Sequence, residues 1–146
     1  MFERVVVALD TDSDRSERVV EAAEALARVG GEVLVAHIQE VERPAVIAAT
    51  PRPGALPPPI PADGSREAHE VVDRAVERLK RAGIGAEGIV RPGAGSTARD
   101  LLQIAGGFEA TVIVVGDSGS RVTDLLLGGV AHKIVRDATC SVLLVR

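Results

Sequence analysis

The sequence predicts an α/β fold, one domain over residues 1–146 with a mainly parallel sheet covered by helices. Three observations lead there. Short β-branched apolar runs alternate with helical stripes from one end of the chain to the other. The strand-like runs are continuous rather than alternating, as strands buried on both faces require. The hydrophobic share is 46%, yet Phe2 and Phe108 are the only aromatics, so Val, Leu, Ile and Ala must fill the core.

Arg4 to Leu9 (RVVVAL) is the first strand, ended by the carboxylate of Asp10. Asp14 with Glu17 three residues on fits a capping box for a first helix. Val19, Ala22, Ala23, Leu26 and Val29 follow at helical spacing until Gly30-Gly31 stops them. Val33 to Ile38 (VLVAHI) is the second strand. Arg43 to Gly64 holds seven of the eight prolines and reads as an exposed loop, a solvated connector or a lid. A second helix carries Ala68, Val71, Val72, Ala75, Leu79 and Ala82 on one stripe and stops at Gly83. Gly85 to Arg91 makes a weak third strand, and Ser96 to Ala105 a third helix ended by Gly106-Gly107. Thr111 to Val115, Gly128 to Asp137 and Cys140 to Val145 are the fourth strand, last helix and fifth strand.

The formal net charge is −4, with no basic run and no Trp or Tyr. Nucleic acid is therefore not an expected partner, since backbone phosphates need a cationic surface and bases need stacking platforms. No run reaches the roughly 18 apolar residues of a membrane helix, and MFERVVVALD turns acidic too early for a signal peptide. A cytoplasmic location is expected. Cys140 is the lone cysteine and reads as an inert packing residue. His37, His69 and His132 are scattered without metal-ligand spacing, so no metal site is expected.

In such sheets ligands bind beyond the carboxyl ends of the strands, where strand order reverses. Asp10 ends the first strand and Gly116 the fourth. If these strands are neighbours, the carboxylate and a glycine turn share one crevice. Gly116, Gly119, Gly128 and Gly129 would let backbone N–H groups face a phosphate.

Taken together, VVVALD, VLVAHI, IVRPG, TVIVVGDSG and LLLGGVAHKIVRDATCSVLLVR resemble the universal stress protein family over almost the whole chain. The resemblance implies a doubly wound sheet of five parallel strands, order 3-2-1-4-5, with helices on both faces. It also implies a homodimer through the last strand, Cys140 to Val145, whose apolar edge would otherwise stay open. It further implies binding of ATP or another adenine nucleotide without catalysis, with Mg²⁺ entering only with the nucleotide. Occupancy would order the turn from Gly116 to Val130 and alter a partner surface. Ala8, Leu9 and Asp10 would border adenine and ribose, and Ile38 would offer its backbone to adenine. Val115, Gly116, Gly119, Gly128, Gly129 and Val130 would complete the nucleotide site.

Two departures from the family's Gly-x2-Gly-x9-Gly-Ser/Thr pattern stand out. The spacer from Ser120 to Leu127 is one residue short, and Gly129 replaces the hydroxyl residue. Losing a charge-assisted hydroxyl contact costs about 1.5–3 kcal/mol, roughly 10- to 150-fold in affinity. Asp117 would repel polyphosphate if it points inward. A second reading therefore keeps the fold, drops the nucleotide and leaves a dimeric interaction protein.

Two other patterns compete. Asp10-Thr-Asp12 with Asp117 resembles a haloacid-dehalogenase-type, Mg²⁺-dependent phosphatase, but Ser13-Asp14 stands where Gly-Thr usually follows. Asp10, Asp12, Asp14 and Glu21 match positions of a calcium loop, but Arg15 stands where that loop needs glycine. For Asp10 the alternative role is a polar strand end that binds the next loop's N–H groups.

Overall fold

The computed structural model describes residues 2–27, 30–39, 63–117 and 129–146. Its nine elements are β1 (Arg4–Ala8), α1 (Ser13–Leu26), β2 (Glu32–Gln39), α2 (Asp63–Arg81), β3 (Gly85–Pro92), α3 (Thr97–Gly107), β4 (Val112–Gly116), α4 (Gly129–Asp137) and β5 (Ser141–Val145). They form a five-stranded sheet in the order β3-β2-β1-β4-β5 with every pairing parallel, as expected. Each residue of β1 from Val5 to Ala8 has a partner on both sides; Val6, for instance, lies between Leu34 and Ile113.

This central position explains the unbroken RVVVAL run. Val5, Val7 and Leu9 face one layer with Val19, Val20 and Ala23 of α1 and Val72, Ala75 and Leu79 of α2. Val6 and Ala8 face the other with Leu101 and Ile104 of α3 and Ala131 and Ile134 of α4. Period-two alternation therefore feeds two apolar layers, and no polar face remains.

The ends of several elements differ from the sequence reading. Asp12, not Asp14, caps α1: its Oδ1 accepts the Arg15 N–H at 2.9 Å. Asp14 falls in the first turn, where its charge complements the helix dipole. The helix ends at Leu26, with the Ala27 N–H bonded to the Ala23 carbonyl at 2.9 Å, and Val29 lies outside the described residues. The fifth strand is half-buried rather than buried, because β5 lies at the sheet edge. Cys140 precedes it, partly buried, and that burial pushes the thiol pKa up. Most of the proline-rich stretch lies outside the described residues.

Gly88 accounts for the weak look of β3. A Cβ there would sit 2.5 Å from Val72 Cγ1, so the missing side chain lets α2 pack closely on the strand.

The third helix does not stop at its glycine pair. It runs through Gly107 and reverses at Glu109, which holds φ +55°. The Glu109 N–H bonds Gly106 O at 3.1 Å and the Ala110 N–H bonds Ala105 O at 2.9 Å, a Schellman pair with glutamate in the left-handed place. Left-handed backbone costs a non-glycine residue about 1–2 kcal/mol. Glu109→Gly is thus expected to raise stability by about 1 kcal/mol, partly offset by unfolded-chain entropy, and to shift the urea midpoint upward.

Candidate functional site

The sheet order reverses at β1, which has β2 on one side and β4 on the other. Beyond the carboxyl ends of these three strands lies a cavity of about 460 Å³, within the usual range of small-molecule sites. A smaller cavity of about 110 Å³ lies between α1 and α2.

The crest of β1 is built by local hydrogen bonds. Leu9 continues the ladder, its N–H bonding Ala36 O at 2.9 Å. Asp10 then turns the chain. Its Oδ1 accepts the Asp12 N–H at 2.9 Å, its carbonyl accepts the Ser16 hydroxyl at 3.0 Å, and its Oδ2 pairs with Arg15 Nη1. One carboxylate thus shapes the turn, places the Asp12 cap and anchors an arginine. The contact with the next loop's N–H is the one the alternative role of Asp10 names.

Arg15 enters this site unannounced by any motif. It is the third residue of α1, where the positive end of the helix dipole disfavours a cation. Carboxylates offset that cost: Asp10 by the hydrogen bond, and Asp12 with Oδ2 3.7 Å from Nη2. The hydrogen bond to Asp10, with the charges of Asp10, Asp12 and Asp117, pushes the guanidinium pKa above its ordinary value despite burial. The Arg15 amide likewise pulls the Asp12 carboxyl below the usual range. The ionised cap therefore stabilises α1 fully above the ordinary carboxylate pKa and fades as pH falls through the lowered value.

The arginine's aliphatic chain lies across Gly116. A Cβ at Gly116 would stand 2.7 Å from both Cγ and Cδ of Arg15 and 3.2 Å from Val19 Cγ2. Glycine is required here for close approach. Beyond it, the Asp117 N–H bonds Val145 O at 2.8 Å and its carboxylate, 13% exposed, lies 3.9 Å from Arg146 Nε.

On the β2 side, His37 is 8% exposed and its Nδ1 lies 2.8 Å from the Leu9 carbonyl. A carbonyl only accepts, so Nδ1 carries the proton of this hydrogen bond.

The cavity brings together Ala8, Leu9, Asp10, Ile38, Val115, Gly116 and Val130 of the expected set. Gly129 opens α4 beside Val130, and among the described residues no atom outside its own helix lies within 4 Å of where its Cβ would be. Gly119 and Gly128 fall outside the described residues, as do Ser118, Ser120 and Thr123. Sequence reasoning missed Arg15, and it missed Glu67, Thr97 and Leu101, which α2 and α3 bring to the far wall. Only the misplaced cation of Arg15 carried a signal along the chain.

Among the described residues, no group of three or more His, Cys, Asp and Glu is placed to hold a metal ion. Asp10 and Asp12 converge instead on the Arg15 guanidinium. No helix among the described residues is long and apolar enough to cross a membrane.

A family model described as "Universal stress protein family" matches residues 83–146. Universal stress protein YxiE of Bacillus subtilis (strain 168) is 32% identical over 154 residues, covering all of both chains. Among solved structures, a universal stress protein from Archaeoglobus fulgidus superposes with a TM-score of 0.77 at 25% identity, again over the whole of both chains. A structure of the universal stress protein from the same organism in complex with dAMP gives 0.71 at 25% identity, over 99% of this chain and 98% of that one.

Proposed function

Because the chain belongs to the universal stress protein family, we propose that it is a non-catalytic adenine-nucleotide binding module of a stress response. The observation that carries this reading is the cavity at the reversal of strand order, bounded by Ala8, Leu9, Asp10, Ile38, Val115, Gly116 and Val130. The dAMP held by the Archaeoglobus fulgidus protein supports the same class of ligand here. Adenine lies against Ile38 and Leu101, and the phosphates run toward Gly116 and the start of α4, with Gly119 and Gly128 in the connecting turn. Mg²⁺ enters only with a nucleotide. The chain acts as one domain, cytoplasmic, and pairs with a second copy along β5, whose outer edge has no strand beside it among the described residues.

Calorimetric titration with AMP and ATP, with and without Mg²⁺, tests this reading. Saturable binding near one site per chain is expected. Absence of heat with both nucleotides would leave the dimeric interaction protein as the better reading.

Gly129→Ser probes the start of α4. Among the described residues the space at that Cβ is open, so the hydroxyl displaces none of them. A recovered charge-assisted contact tightens binding by roughly 10- to 150-fold. Unchanged affinity would mean that the phosphates do not reach α4.

A further inference from the structure

We propose that Arg15 reads the ligand's phosphate, and that the crevice therefore takes a nucleoside monophosphate in preference to a triphosphate; this rests on the nucleotide-binding reading above. Three observations lead to it.

The first is placement. Arg15 lines the cavity together with Gly116 and Asp10, and its side chain is 24% exposed. Its chain lies across a glycine that admits no Cβ, which fixes where the guanidinium emerges.

The second is unused capacity. A guanidinium carries five N–H donors. Among the described residues, Asp10 is its one hydrogen-bond partner, through Nη1, since Asp12 stands at 3.7 Å. The remaining donors can address a phosphate while Asp10 holds the head group, and such planar, charge-assisted contacts are the strong ones.

The third is charge balance. Among the described cavity-lining residues Arg15 is the one Arg or Lys, against Asp10 and Glu67, with Asp12 and Asp117 close by. One cation compensates one phosphate group, and the described cavity-lining residues offer no second Arg or Lys for another. Asp10 has Oδ2 on Arg15 and Oδ1 on the Asp12 N–H, so a metal carried in with a triphosphate would compete with these contacts.

The test compares AMP, ATP and adenosine on the wild type, Arg15→Gln and Arg15→Lys by calorimetry at low and moderate salt. In the wild type, AMP should bind more tightly than adenosine by about tenfold or more, and ATP no more tightly than AMP, with or without Mg²⁺. Arg15→Gln should bring AMP down to the adenosine level and flatten its salt dependence. Adenosine affinity should stay within about twofold, which shows an intact pocket. Arg15→Lys should restore part of the preference, since it keeps the charge and loses the fork. An unchanged AMP-to-adenosine ratio in Arg15→Gln, or ATP tighter than AMP in the wild type, overturns the proposal while the nucleotide reading stands. If none of the three ligands binds the wild type, the nucleotide reading falls and takes this proposal with it.

Discussion

Gly116→Ala is expected to weaken AMP binding by about ten- to a hundredfold while leaving the sheet assembled. The new methyl would overlap the middle of the Arg15 side chain, with Cγ and Cδ each 2.7 Å from the Cβ position. Those atoms lie close to the backbone of α1, so the arginine cannot yield by moving only its tip. It must leave Asp10, and the guanidinium then no longer meets the phosphate. Overpacking of this kind costs about 1–3 kcal/mol of stability, which far-UV circular dichroism through a urea series will register. Unchanged AMP affinity would show that the Gly116–Arg15 contact has no part in binding. Pairing with Arg15→Gln sharpens the result: if both changes act through one guanidinium, the double variant binds AMP no worse than the weaker single variant.

The second large effect is on stability. Ile134→Ala is expected to cost about 3 kcal/mol, within the 2–5 kcal/mol usual for such truncations in cores. For a chain of this size that lowers the melting temperature by about 10 °C. Helix α4 has nine residues, and its buried ones are Ala131 and Ile134. Ile134 is fully buried in the layer shared by Val6, Ile113 and Val115. It is thus the bulky anchor that holds Gly129 and Val130 at the crevice, and nucleotide affinity should fall with stability. A loss below about 1 kcal/mol would mean that α4 is not docked as described.

The parts legible in the sequence share a physical cause. Strands buried on both faces leave continuous apolar runs, and helices on a sheet leave single stripes, so β1, β2, β4 and the helices show in the pattern itself. The strand order followed from the resemblance, and with it the crevice that gathers Ala8, Asp10, Ile38 and Gly116.

What stayed hidden depends on choices the pattern does not make. Asp12, Ser13 and Asp14 are all good caps, and the turn made by Asp10 selects the first of them. Glu109 does the work usually given to a glycine, so the helix end was read at the nearest glycine pair. Gly88 is a packing device whose partner, Val72, lies on another element. Arg15 was visible only as a cation at the wrong end of a helix. The carboxylates that make that place favourable come from a strand end, a cap and the residue after β4. Glu67, Thr97 and Leu101 reach the cavity from other helices, a juxtaposition that no local motif encodes.

On the proposed reading, an adenine nucleotide occupies the crevice beyond β1, β2 and β4. Titrating ¹⁵N-labelled protein with AMP and following backbone amide shifts tests it most directly. Saturable shifts are expected at Leu9, Thr11, Arg15, Gln39, Gly116 and Val130, with the far ends of the strands unmoved. Amides that stay unmoved at millimolar AMP, or that shift only around the smaller cavity between α1 and α2, would contradict it.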